Sequence, residues 1–114
     1  MVYTQQDIRS ESRENMRGGN GKVTLDHLLP ESPANVRLFS RITLAPGCSI
    51  GKHTHEGETE IFAFESGTGT VLDDDLPIRV KPGFIMTTTS GHAHAVENDG
   101  EDNLVFLAVI VSGS

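Results

Sequence analysis

Residues 47–67 read GCSIGKHTHEGETEIFAFESG and contain two short segments separated by a Glu-Gly turn at 56–57. The first segment covers residues 52–55, and the second covers residues 60–65 and stops at a Ser-Gly pair. Both segments are too short for a typical globular helix and are bounded by turn residues, so both predict strands. A strand, a turn and a second strand that can return beside the first predict a β-rich fold.

The same alternation of short segments and turns continues on both sides of this stretch. Residues 36–44 alternate as a strand does, and one face of that strand carries Leu38, Ser40, Ile42 and Leu44. No segment predicts a helix of ten or more residues, so the predicted fold class is all-β, a sandwich or a barrel. The other predicted strands cover residues 68–72, 78–81, 84–89, 94–97 and 103–111.

The last predicted strand is apolar on both faces. Residues 104–111 read LVFLAVIV without any alternation, and a strand of this kind must be covered on both sides. In a small domain one cover is the barrel interior. The other is a partner subunit, which predicts a homodimer, or a terminal arm folded over the sheet.

The chain of 114 residues and 12.3 kDa has room for one compact domain. Residues 9–22 contain a single large apolar side chain, Met16, and end in a Gly-rich turn. Because such a segment cannot bury a face, residues 1–22 are predicted to be an N-terminal arm or loop. Residues 23–114 are predicted to be a single barrel domain.

The charge balance excludes several classes of partner. The formal net charge is −7, which argues against binding to nucleic acid and to anionic membranes. No apolar stretch approaches the roughly 20 residues that span a bilayer, and the first residues do not resemble a signal peptide. A single cysteine, Cys48, cannot form an intrachain disulfide, so we expect a cytoplasmic protein.

Four of the five histidines fall in two His-X-His pairs. His53 and His55 are two residues apart, so on a strand their imidazoles point to the same side and can converge on one ion. Glu60 lies on the returning strand beside aromatic residues, where an unpaired carboxylate is costly and a metal-bound one is compensated. His94 is able to supply a third imidazole from a distant strand.

These residues carry a family resemblance. Residues 47–67 stand as G-x5-H-x-H-x4-E-x6-G, which resembles the first signature of the cupin superfamily. Residues 83–98 resemble the second signature, G-x5-P-x-G-x2-H-x3-N, with Thr89 at the proline position. The resemblance implies a single-domain double-stranded β-helix, the jelly-roll barrel of the cupins. It also implies four metal ligands, which are His53, His55, Glu60 and His94.

The donor set suits a divalent first-row transition metal such as Mn, Fe, Ni, Cu or Zn. One carboxylate and a doubly charged ion leave one net positive charge, which favours a small anionic substrate that chelates through oxygen. The resemblance implies an enzyme of the dioxygenase or decarboxylase type, an oxidoreductase similar to the oxalate-degrading cupins. The alternatives are a non-enzymatic sugar-binding, effector-binding or sensory module and a zinc-dependent sugar isomerase.

Other residues receive weaker predictions. His92 is expected at the rim of the pocket, and His92 and Glu58 are the candidate proton donors. The side chains expected to line the substrate pocket are Phe62, Phe64, Phe84 and His92. His27, without a partner histidine, is expected to be a surface or packing residue, and Cys48 an inert small residue.

Overall fold

The structure is a computed structural model that describes residues 1–113, so Ser114, the last residue of the predicted domain, lies outside the described residues. It contains ten strands and two single-turn 3₁₀ segments. The strands are β1 (Arg9–Glu14), β2 (Lys22–His27), β3 (Val36–Leu44), β4 (Ser49–Thr54), β5 (Glu58–Ser66), β6 (Gly69–Asp73), β7 (Leu76–Val80), β8 (Ile85–Thr88), β9 (Ala93–Glu97) and β10 (Leu104–Ser112).

The strands form two antiparallel sheets. One sheet has the order β1-β2-β3-β10-β5-β8, and the other has the order β4-β9-β6-β7. Side chains from the inner faces of both sheets make the hydrophobic core. The all-β prediction and the double-stranded β-helix are therefore confirmed. Within residues 1–113, no helix is long and apolar enough to cross a membrane.

Strand β10 lies at the centre of the larger sheet, between β3 and β5. Its inward residues Leu104, Phe106, Ala108 and Ile110 are buried, as the barrel interior requires. Its outward residues are only half-buried, and they are Val105, Leu107, Val109 and Val111. The predicted inner cover is therefore present, while the outer face is only partly covered by this chain.

The N-terminal segment differs from the predicted arm or loop. Residues Arg9–Glu14 form the edge strand β1, which pairs with β2 in a register that runs from Arg9 opposite His27 to Glu14 opposite Lys22. All six residues of β1 are exposed. The segment buries no face, as expected, but its backbone bonds to the edge of β2 need no apolar side chains.

One buried side chain, that of Asn98, connects the loops next to β9 through hydrogen bonds. The Asn98 side-chain amide donates to the carbonyls of Leu44 and Asp102, both at 2.8 Å, and its carbonyl accepts from the Gly100 N–H at 3.0 Å. Asn98 is fully buried, and these three bonds satisfy its polar atoms. They anchor the end of the strand that carries His94.

Candidate metal centre

Four side chains from both sheets converge inside the barrel. His53 lies on β4, His55 follows β4, Glu60 lies on β5 and His94 lies on β9. The His94 Nε2 is 3.0 Å from the His55 Nε2, 3.2 Å from the His53 Nε2 and 3.0 Å from a Glu60 carboxylate oxygen. The His55 Nε2 is also 3.0 Å from that oxygen. The four residues predicted as ligands are thus brought together, with their donor atoms within 4.8 Å of one another.

The outer nitrogen of each imidazole is also partnered. The Nδ1 of His53 lies 2.8 Å from the Gly51 carbonyl, and the Nδ1 of His94 lies 2.8 Å from the Thr88 hydroxyl. The Nδ1 of His55 lies 3.4 Å from a carboxylate oxygen of Glu58. A carbonyl and a carboxylate only accept hydrogen bonds, so in neutral His53 and His55 the proton is assigned to Nδ1. Each Nε2 then turns a lone pair toward the centre.

This arrangement fits a metal ion. The lone pair of the His55 Nε2 and the Glu60 carboxylate oxygen lie 3.0 Å apart and repel one another unless a cation or a proton lies between them. For an ion about 2.1 Å from each nitrogen, a donor separation of 3.0 Å corresponds to about 90°, the octahedral angle. Nitrogen and carboxylate donors with outer hydrogen-bond partners are typical of first-row transition metal sites.

Most of the cluster is buried away from solvent. His94 is 1% exposed and stacks on Phe62, with ring centroids 4.9 Å apart and planes at 19°. His55 and Glu60 are also buried, and His53 is half-buried. Burial lowers the pKa of His53, because the charged imidazolium is poorly solvated there. The neutral form that ligates a metal is therefore favoured.

Three of the four side chains, those of His53, His55 and Glu60, line a cavity of about 560 Å³. The apolar wall comes mainly from inward residues of the larger sheet, among them Phe62 and Ile42. The polar rim comes from β1 and the 3₁₀ turn Met16–Gly18, the segment that was predicted to be an arm or loop. Four arginines line this cavity, which are Arg9, Arg13, Arg17 and Arg37.

The predicted pocket residues have different positions. Phe62 lines the cavity, whereas Phe64 is buried in the core. Phe84 is 39% exposed and lies at the turn before β8, with the Lys81 ammonium 5.9 Å from its ring centroid. It borders a different, smaller cavity, which it shares with Ile78 and Val80 of β7, because the turn that carries it leads into β8 at the edge of the larger sheet. As defined by residues 1–113, the cavity lining includes neither Phe64 nor Phe84.

His92 also lies away from the cavity lining. Its imidazole is 56% exposed and bonds the Asp74 carboxylate at 2.8 Å. This hydrogen bond and the charge of Asp74 raise the pKa of His92.

Thr89 replaces the signature proline. Its backbone carbonyl accepts a turn hydrogen bond from the His92 N–H at 3.1 Å, and this turn leads into the strand of His94.

The carboxylate of Glu58 contacts Arg37 and His55. It accepts from Arg37 at 2.8 Å and lies beside the outer nitrogen of His55. Burial raises the pKa of Glu58, but the hydrogen bond and charge of Arg37, together with His55, outweigh burial and lower it. Glu58 is therefore ionised and holds the imidazole of His55 in place.

Sequence reasoning assigned no site role to His27, and the structure places it on the cavity wall. Its Nε2 lies 2.6 Å from the Glu11 carboxylate, and its Nδ1 lies 2.8 Å from the buried Ser40 hydroxyl. Glu11 lies within residues 1–22, which the sequence predicts to be an arm or loop. Because this contact depends on β1 pairing with β2, no local pattern around His27 signals it.

Comparisons with known proteins agree with this geometry. The cupin domain family model matches residues 40–110. An oxalate-binding protein from Thermotoga maritima is 42% identical over an alignment of 113 residues, and the match covers 97% of this chain and 93% of that protein. The crystal structure of a predicted oxalate decarboxylase from Thermotoga maritima has a TM-score of 0.91 at 43% identity, covering 98% of this chain and 99% of that one. A cupin domain from Schizosaccharomyces pombe shares the fold at 10% identity, with a TM-score of 0.76 over 98% of this chain and 74% of that one. The resemblance of the two signatures is confirmed, and this chain belongs to the cupin family.

Proposed function

We propose that this protein binds a divalent first-row transition metal through His53, His55, Glu60 and His94, and that the metal site takes a small anionic oxygen chelator of the oxalate type. The observation that carries the proposal is the convergence of four donor atoms within 4.8 Å of one another, with a polar partner behind each imidazole and three of the four side chains lining a cavity. Mn, Fe, Ni, Cu and Zn all accept this ligand set.

The charge of the cavity supports an anionic ligand. One carboxylate among the donors leaves the site with one net positive charge when a doubly charged ion is bound, although the chain as a whole carries −7. Relatives whose names refer to oxalate, at 42% and 43% identity over nearly the whole chain, support a ligand of this class.

We propose that the reaction is a decarboxylation or an oxygenation of that ligand. A bound metal would supply Lewis-acid polarisation of the ligand oxygens. Phe62 and Ile42 form part of an apolar wall beside His53, His55 and Glu60 in the cavity. Glu58 keeps the proton of His55 on the outer nitrogen, so the inner nitrogen remains free to ligate. His27 lines the cavity, but both of its ring nitrogens are already bonded, one to Glu11 and one to Ser40, and His92 lies outside the cavity lining.

The alternative is a protein that binds the same ligand without turnover, in a carrier or sensory role. The name of the relative at 42% identity, an oxalate-binding protein, favours this candidate. Both candidates need the metal, but only the enzyme releases product. A zinc-dependent sugar isomerase, the remaining prediction from the sequence, would instead act on a neutral sugar and consume no oxygen.

Three measurements on one preparation separate these candidates. The first is elemental analysis of protein purified without added metal, the second is calorimetric titration with oxalate, and the third records CO₂ release and O₂ uptake. Metal and oxalate binding with CO₂ release supports the enzyme, whereas tight oxalate binding without turnover supports the binding protein. If the protein neither contains nor takes up any of the five metals, the proposed site is wrong.

We also propose a homodimer formed through the outer face of the larger sheet. On this face the half-buried Val109 of β10 is flanked by Phe39 of β3 and Ile61 of β5. The half-buried Leu107 lies next to it on the same face, between Arg41 and Ala63. A second copy would cover these apolar side chains, which water otherwise contacts.

The cytoplasmic location expected from the single cysteine stays a prediction, and the test is fractionation of cells that express the protein.

A further inference from the structure

The arginines of this chain divide into two groups. Four of the six are ion-paired with carboxylates, as Arg13 with Glu11, Arg37 with Glu58, Arg41 with Glu65 and Arg79 with Asp99. Among residues 1–113, Arg9 and Arg17 have no carboxylate within 4.0 Å. In a chain with 16 acidic residues such partners are plentiful, yet both unpaired guanidinium groups line the cavity that contains the metal donors.

The turn that carries Arg17 has a left-handed backbone conformation at this residue. Arg17 has φ 55° and ψ 30°, a left-handed conformation that disfavours residues with a side chain. Its carbonyl lies so close to β4 that a Cβ on Gly51 would be 2.1 Å from the Arg17 oxygen. On the same turn, a Cβ on Gly19 would be 2.3 Å from the Ser49 oxygen. The two glycines therefore allow the turn to dock directly on the strand that carries His53.

Arg17 also lies close to the donor set in the fold. The turn Met16–Gly18 contacts β4, the strand that carries His53, and Arg17 and His53 line the same cavity. Arg9 instead lies on the edge strand β1, whose only strand neighbour among residues 1–113 is β2.

The cavity otherwise disfavours a ligand with two negative charges. One carboxylate at the metal would neutralise the single net positive charge of the site. A second carboxylate would then share the cavity with Glu11 and Glu14, while Arg13 and Arg37 are already paired with acids. An unpaired guanidinium compensates that second charge, and its planar fork matches a carboxylate with two parallel hydrogen bonds.

We propose that Arg17 binds the second carboxylate of a small dicarboxylate whose first carboxylate lies at the metal, so that the site selects dianions over monocarboxylates. This inference rests on the proposed function and adds to it a residue that determines specificity. The 3₁₀ turn Met16–Gly18 is then the element that presents this residue to the ligand.

The test is calorimetric titration of the full chain, first with Mn²⁺ and then with oxalate or acetate. For Arg17→Gln we expect Mn²⁺ affinity within about threefold of wild type, because the ligand set is intact. Oxalate affinity should fall about ten- to hundredfold, the usual loss for a charged hydrogen bond, and acetate affinity should change about twofold or less. Arg79→Gln, outside the cavity, is the matched control and should bind oxalate as wild type does.

A second variant separates binding from folding. Arg17→Gly places at φ 55° the residue that tolerates it best, so its Tm should equal or exceed that of wild type. Its oxalate affinity should nevertheless fall as in Arg17→Gln. If Mn²⁺ binds and both variants keep wild-type oxalate affinity, the assignment of Arg17 is wrong while the proposed metal site stands. If wild type binds no Mn²⁺ and no other first-row metal, the proposed function fails together with this inference.

Discussion

Replacing His94 and His92 by alanine, one at a time, gives the sharpest test of the metal centre. His94 is 1% exposed, and its Nε2 lies 3.0–3.2 Å from the donor atoms of the other three ligands. His92, two residues away, has a 56% exposed imidazole that bonds Asp74 instead. We expect His94→Ala to lose metal binding and His92→Ala to keep it.

The size of the effect follows from the linkage between binding and folding. The four ligands connect strands of both sheets, so the unfolded chain has no such site. Metal at a hundred times its dissociation constant stabilises the folded state by about 2.7 kcal/mol. In a domain of 114 residues, 1 kcal/mol shifts Tm by about 4 °C, so the expected shift is about 10 °C. A hundredfold loss of affinity at the same metal concentration leaves about 0.4 kcal/mol, or under about 2 °C.

The assay is thermal unfolding with and without metal, followed by circular dichroism at one fixed concentration of Mn²⁺ or Zn²⁺. The quantity compared is the metal-induced change in Tm within each variant. The absolute Tm is unsuitable, because His94→Ala also removes the stacking on Phe62 and the bond to Thr88 and is less stable without metal.

Two results would refute the reasoning. In one, His92→Ala loses the metal-induced shift as completely as His94→Ala, which means that the ligand assignment is wrong. In the other, wild-type protein shows no shift with any of Mn, Fe, Ni, Cu or Zn, which means that the converging donors do not form a metal site.

Three further predictions concern stability and assembly. The His92–Asp74 pair raises the pKa of His92, so its stabilisation is present below the ordinary histidine pKa of about 6.5 and is lost as pH rises through the raised value. The Tm difference between wild type and Asp74→Asn should therefore shrink from pH 6 to pH 9, and a constant difference would contradict the pairing. Sedimentation should give twice 12.3 kDa for wild type and 12.3 kDa for Leu107→Glu on the outer sheet face, whereas a monomeric wild type would exclude the dimer. Gly67→Ala, whose Cβ would lie 2.2 Å from a backbone oxygen, should cost about 1–3 kcal/mol in denaturant unfolding, clearly more than Gly83→Ala, where no atom lies within 4 Å of the added Cβ.

Much of the fold could be predicted because its signals are local. The alternation of residues 36–44 marks β3 to the residue, since a strand in a barrel has one inner and one outer face. The turn glycines mark where strands end, since Gly67 and Gly83 have φ of 78° and 95°. Two of the candidate ligands are local in this sense, because the His-X-His spacing brings His53 and His55 to the same side of the chain. Glu60 lies on the other sheet, and His94 lies on β9, which pairs with β4.

The remaining parts of the site depend on which distant segments become neighbours. The polar stretch Arg9–Glu14 has no apolar periodicity, and its pairing with β2 is made through the backbone alone. Phe64 and Phe84 were expected in the pocket on the strength of residue type, but one is in the core and the other is at the surface. Arg17 enters the cavity because the N-terminal turn docks on β4, and His27 enters it from the end of β2, on the same face as the buried Val23 and Leu25.

The sequence by itself therefore determined the strand pattern and the fold class, since both rest on side-chain alternation and turn residues, and its two signatures named the four candidate metal ligands. The tertiary structure alone decided what surrounds those side chains. It turned the N-terminal segment into part of the cavity wall, placed Arg17 in the lining and left Phe84 and His92 outside. The physical reason is that the lining of a cavity is set by strand pairing between residues far apart in the chain, which local patterns do not encode.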